Sequence, residues 1–160
     1  MERFCLMWDE VTYQPGELKV IAYDENGAKA MTRIVRTAEK ATAIRLTPDR
    51  NIMDADGEDL CFINVCVTDD NGNPVPTDNR LINVKVSGAG SFKAMANGDP
   101  SCQEPFHKPQ MHMFNGQLTI LVQSSKTPGT ITVDVSGKGL RKSTVTIKTE
   151  AAAMNKHIKV

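Results

Sequence analysis

The chain is poor in aromatic residues, which make up 5% of its 160 residues, with a single Trp, Trp8. That scarcity works against an extended sugar-binding platform, because pyranose faces stack on rings. It also lacks an excess of either charge: Lys+Arg and Asp+Glu both number 19. Without a basic field, nucleic acid and anionic lipid are not expected as partners. No apolar run approaches the ~20 residues of a membrane-spanning helix. The opening MERFCLMWDE has no apolar core of the secretory type, so no leader is read there. The four cysteines, Cys5, Cys61, Cys66 and Cys102, include no CxxC spacing, so no metal site is expected from them. Cys61 and Cys66 lie in one extended run, on opposite faces and about 16 Å apart, which forbids a bond between them. Free thiols are the expectation. Nor is there an HExxH, a nucleophile elbow or a glycine-rich phosphate loop.

What is present is alternation. ELKVIAY, residues 17–23, sends Leu18, Val20 and Ala22 one way and Lys19, Ile21 and Tyr23 the other. The turn DENG and a second extended run, KAMTRIVRT at 29–37, make a hairpin. FCLMWDEV, residues 4–11, reads as a further strand. Three strands cannot close a sandwich, so residues 1–38 read as the C-terminal strands of an incomplete immunoglobulin-like domain. Such a piece exposes apolar surface and strand edges, which favours pairing with another copy.

After the polar joint AEKA at 38–41, strand patterns recur every 8–12 residues: TAIRLTP, LCFINVCVT, RLINVKVSG, SFKAMA, GQLTILVQS, TITVDVSG and STVTIKT. Turn-rich DADGED, DDNGNP and SGKG separate some of them. No helical period appears between 42 and 149. The expected fold is all-β, an immunoglobulin-like sandwich over 39–149, followed by a tail at 150–160.

One stretch breaks the rhythm. Residues 97–116, NGDPSCQEPFHKPQMHMFNG, hold three prolines and two histidines. Asp99, Glu104, His107 and His112 lack the regular spacing of a built metal site. A long inter-sheet connection is the better reading, with Asn97, Asp99 and Glu104 as hydrogen-bond anchors and Phe106 and Phe114 pinning it to the core. DADGED resembles half a calcium loop, but it lacks the closing Glu and precedes a strand, so it reads as a turn. No carboxylate pair is recognisable as facing across a cleft, so no catalytic residue is assigned. Trp8, Phe62 and Phe106 remain as carbohydrate-binding candidates. Phe62 points away from the Ile63/Val65 face, towards sugar or towards another domain.

WDEVTYQPGELKVIAYDENG at 8–27, AIRLTPDR at 43–50, ADGEDLCFINVCVTDDNGNPVP at 55–76, NGDPSCQEPF at 97–106 and FNGQLTILVQSS at 114–125 occur in that order. As a series they are similar to the C-terminal region of bacterial β-galactosidases of glycoside hydrolase family two. The resemblance implies a non-catalytic accessory domain of such an enzyme, structural or shaping the substrate entrance. It implies that the catalytic glutamates lie in an upstream barrel, with no cofactor, and that the parent is periplasmic or secreted. Partners would be that catalytic domain and glycans. A carbohydrate-binding module and an Ig-like spacer of an adhesin are the alternatives. Cysteines in LCFINVCV and the interior HKPQMHM depart from the family pattern.

Overall fold

The computed structural model describes residues 7–152 and contains only strands, turns and loops among them. The chain divides into two compact units, Met1–Thr37 and Ala38–Val160.

In the first unit, β1 (Glu17–Tyr23) and β2 (Lys29–Arg36) form an antiparallel two-stranded sheet. Asp24 closes the turn by accepting the Asn26 and Ala28 N–H groups, both at 2.9 Å, and Gly27 takes the positive φ of 78° that the turn requires. Thr37 ties the hairpin's open end. Its hydroxyl accepts the Gly16 N–H at 3.0 Å and meets the Tyr13 hydroxyl at 3.2 Å. The strand expected over FCLMWDEV does not form in its described part, residues 7–11. Among the described residues no neighbouring strand pairs with it, and a strand without a partner leaves its amides to water. Residues 4–6, Cys5 among them, and most of the tail lie outside the described residues.

The second unit is an immunoglobulin-like β-sandwich. One sheet has the order β3 (Ala43–Pro48), β5 (Leu60–Thr68), β9 (Gln117–Ser124), β7 (Gly90–Ala96). The other has the order β4 (Ile52–Asp54), β11 (Ser143–Glu150), β10 (Gly129–Gly137), β6 (Leu81–Gly88), β8 (Gln110–His112). All pairs are antiparallel except β4 with β11. Alternation sets the core. Cys61, Ile63, Val65 and Val67 of β5 and Leu118, Ile120 and Val122 of β9 face Ile82, Val84, Ile131, Val133, Val135 and Ile147 of the opposite sheet in one buried cluster. Val145 is only partly buried at its margin.

Two strands were not evident in the sequence. β4 and β8 are three residues each, and each sends one residue inward, Met53 and Met111. They form the two edges of the larger sheet, and edges this short offer little template for another strand.

Candidate functional site

The stretch 97–116 crosses between the sheets twice. It leaves β7 in the four-stranded sheet, supplies β8 to the five-stranded sheet, and returns as β9. The return is a tight Asn115–Gly116 turn with φ of 52° and 71°, closed by reciprocal Phe114–Gln117 backbone bonds at 3.0 and 3.1 Å. Only a glycine fits at 116, because a Cβ there would lie 2.2 Å from the Val75 carbonyl oxygen.

The loop's polar residues bind the loop itself. Asn97 donates from Nδ2 to the His112 carbonyl at 3.0 Å and lies 3.6 Å from the Cys102 sulfur, while its Oδ1 accepts the Asp99 N–H at 3.0 Å. Asp99 accepts the Ser101 hydroxyl and N–H at 2.7 and 2.8 Å, and these bonds hold its carboxyl below the usual range. Glu104 grips His112 twice, at the ring Nδ1 and, at 2.8 Å, at the backbone N–H. The ring contact is the larger cause of its lowered pKa.

The aromatic pins are not where the sequence put them. Phe106 is 56% exposed, and Phe114 holds the turn through its backbone while its ring is 37% exposed. Met111 and Met113 fasten the loop to the core, at 0% and 3% exposure. The reason is register. Met111 and Met113 sit two apart, as inward residues of a strand do, whereas Phe106 lies in the turn that Lys108 closes by donating to the Pro105 carbonyl. Unbranched methionine fills the irregular space under such a loop.

The acidic turns act in the same way. Asp56 of DADGED accepts the Glu58 and Asp59 N–H groups, both at 2.7 Å, with the Glu58 bond the leading cause of its lowered pKa. Asp59 accepts the Asp54 N–H at 2.9 Å and pairs with Arg50 at 3.2 Å. Asp69 of DDNGNP, buried, accepts the Glu39 N–H at 3.0 Å, the Asn73 N–H at 2.8 Å and the Asn73 side-chain amide at 3.0 Å. The Glu39 amide is the main reason its carboxyl lies low. Asp70 takes Arg141 at 2.8 Å and the Thr42 hydroxyl at 2.9 Å. The two aspartates therefore clamp the stretch 39–42 onto the sandwich. Asp78 receives a forked pair of bonds from Arg80, which also donates to the Lys138 carbonyl at 2.7 Å.

Cys61 is the least ordinary titrating group. Its thiol is fully buried and donates to Asp49 at 3.1 Å. Burial first, then the Asp49 bond, pushes its pKa up to about 12. Asp49 itself ends below the usual range. Burial raises it, but the Cys61 thiol, the Phe62 N–H at 3.0 Å and Arg50 outweigh burial. Cys61, Cys66 and Cys102 are all free.

The three aromatic candidates stand on separate elements, Trp8 in the first unit and Phe62 and Phe106 in the second. Trp8 is 61% exposed in the first unit. Phe62 is 42% exposed on the outer face of β5, where its registered neighbour across β9 is the aliphatic Leu121. Phe106 stands on its own turn. A shallow groove of about 430 Å³ lies on the outer face of the five-stranded sheet, lined by residues that include Asn83, Lys85, Asp134, Ser136, Lys142 and Thr144. Asp134 there accepts the Thr144 hydroxyl at 2.7 Å. Among the described residues no three His, Cys, Asp or Glu side chains gather as a metal set. No buried side-chain polar atom among them lacks a partner. The arrangement suits holding loops in place more than moving protons.

Comparison with known proteins fits this geometry. Residues 44–146 match the family described as glycoside hydrolase family 2 C-terminal domain 5. Residues 1–31 match a separate one, Domain of unknown function (DUF4982). A β-galactosidase of Bacteroides ovatus, BoGH2A, is 38% identical over 150 residues, 94% of this chain and 17% of its own length. A glycosyl hydrolase family 2 member from Bacteroides cellulosilyticus superposes with a TM-score of 0.81 at 28% identity, over 88% of this chain and 18% of that one. A β-glycosidase from Bacteroides vulgatus also gives 0.81, at 26% identity, over 86% and 18%. The chain thus spans less than a fifth of the length of these relatives. A sandwich of this topology, matched over most of its strands, belongs to the C-terminal domain 5 family of glycoside hydrolase family 2.

Proposed function

We propose that this chain is the non-catalytic C-terminal part of a β-galactosidase-like glycoside hydrolase and that it braces an upstream catalytic domain. The observation that carries the reading is where the carboxylates are spent. Asp49, Asp56, Asp69, Asp70, Asp78, Asp99 and Glu104 each bind backbone amides or local side chains, and those bonds lock the loops. A hydrolytic pair instead needs two carboxylates facing a cleft wide enough for a sugar and water. The B. ovatus relative, a β-galactosidase, supplies the substrate class. In this reading the parent is exported and the domain works in the periplasm or outside the cell.

The test compares the full encoded chain with a version ended after Thr37. Expected is hydrolysis of an aryl β-galactoside at an unchanged kcat, with thermal inactivation several degrees lower in the shortened enzyme. Unchanged thermal inactivation, together with retention of residues 38–160 on insoluble polysaccharide, would replace bracing with carbohydrate binding through Phe62 or Phe106.

A further inference from the structure

The groove on the outer face of the five-stranded sheet is a grid of polar side chains. Successive strand residues alternate between faces, and registered residues of neighbouring strands share one. Lys85 pairs with Asp134, and Asp134 with Thr144, so the three form a row across β6, β10 and β11. Asn83 pairs with Ser136 in the next row. Lys142, one residue before the registered Ser143–Val135 pair, extends that row. The two lysines thus stand at opposite corners, with Asp134 and Ser136 between them. Strand geometry puts these corners about 12 Å apart, and four-carbon stems let both ammonium groups reach a molecule lying over Asp134.

Two features set the grid apart from the loops. Its polar groups are unspent. Neither lysine has an ion-pair partner among the described residues. The bond from the Thr144 hydroxyl to Asp134 leaves the second carboxylate oxygen open. The loop carboxylates, by contrast, are tied to backbone amides and local side chains. The grid also presents no apolar side chain. Val84 and Val135 line the groove, but both are buried in the core. Protein interfaces centre on apolar and aromatic anchors, so this face suits a hydrophilic ligand. Its volume of about 430 Å³ is that of a small-molecule site.

The donors and acceptors narrow the ligand. Two ammonium groups ask for negative charge. Asp134 between them repels a bare anion and asks for hydroxyl donors instead. A neutral sugar answers only the second demand, and inorganic sulfate only the first. A sugar that carries a carboxylate answers both. Held by charge, such a unit needs no aromatic ring to stack on.

We propose that the groove between Lys85 and Lys142 binds an acidic sugar unit, its carboxylate held by the lysines and its ring hydroxyls by Asp134, Asn83 and Ser136. This ligand site is independent of the bracing role, and either can hold without the other.

Magnetic-resonance titration of the 160-residue chain tests it, with trigalacturonate, neutral galactotriose and inorganic sulfate as probes. Expected are saturable shifts of the 83–85, 134–136 and 142–144 amides with trigalacturonate, binding of galactotriose at least about tenfold weaker, and no saturation by sulfate. Lys85→Gln combined with Lys142→Gln should weaken trigalacturonate binding at least about tenfold, whereas Lys93→Gln on the other sheet leaves it unchanged. Asp134→Asn should weaken trigalacturonate and strengthen sulfate. Unchanged amide positions away from the groove show that each variant folds. Absence of groove shifts with trigalacturonate would overturn the proposal, as would equal affinity for galactotriose. Sulfate binding as tight as that of trigalacturonate would also overturn it, because the lysines would then attract any anion.

Discussion

The hairpin of residues 17–36 and the sandwich of residues 43–150 are built from the same alternating pattern, yet they end in opposite states. Val20 follows Leu18 by two positions just as Val65 follows Ile63, but Val20 is 39% exposed and Val65 is 1% exposed. The difference lies in the second layer. Val65 faces a sheet that brings Ile131, Val133 and Ile147, while among the described residues of the first unit no strand lies opposite Val20. Alternation specifies which residues can be buried. Burial itself, and the ~25 cal/mol per Å² it contributes, comes only when another element arrives.

Several changes would sharpen or break this contrast. The largest effect belongs to the core. Ile63→Ala is expected to lower the unfolding free energy by about 3 kcal/mol in urea titration. Val20→Ala in the same chain should stay within about 0.5 kcal/mol. Equal losses would mean that the hairpin face is covered after all.

Glycines give the next pair. Gly116 and Gly27 share a positive φ, 71° and 78°. A Cβ at 116 would press on the Val75 carbonyl oxygen at 2.2 Å, whereas one at 27 meets nothing within 4 Å. Gly116→Ala should cost well over about 1 kcal/mol, and Gly27→Ala only the backbone strain of about 1 kcal/mol. Thermal melts of the two variants check the order.

Acid separates the regions more gently. The lowered carboxyls that clamp loops, Asp49, Asp56, Asp69, Asp70, Asp99 and Glu104, all lie in the sandwich. A carboxylate held below its unfolded pKa stabilises the fold above that unfolded value. Its contribution is lost as pH falls through the folded one. The sandwich should therefore keep its midpoint down to about pH 5 and lose it progressively below pH 4. Asp69→Asn should flatten part of that fall.

The smallest effect is chemical. Cys66 and Cys102, half-buried, are expected to react with iodoacetamide at neutral pH, and Cys61 only after unfolding, as read by peptide mapping. Because the folded pKa of Cys61 is raised, its contribution to stability is complete below about pH 9 and fades as pH climbs towards 12.

Most strands were legible because their inward residues are largely β-branched and strictly spaced, as in Ile63–Val65–Val67 or Ile131–Val133–Val135. β4 and β8 were not, since a three-residue strand shows one inward side chain, and Met53 and Met111 sit among acids and prolines. The spacing of Met111 and Met113 in QMHMF was a usable signal, hidden by the prolines before it. The two phenylalanines misled because large rings are usually buried, yet the turn at 105–108 gives Phe106 nothing to face. Local polar contacts such as Asp99 to Ser101 follow from turn chemistry. Contacts such as Asp69 to Glu39, or Asp49 to Cys61, join residues 30 and 12 positions apart and exist only once strands pair.

Residue-resolved hydrogen exchange on the 160-residue chain tests the contrast between the two regions most directly. Expected are amides of β5, β9 and β10 that exchange only with global unfolding, and amides of β1 and β2 that exchange at least about a hundredfold faster. Protection of the hairpin equal to that of β5 would contradict the claim that the first unit lacks its second layer.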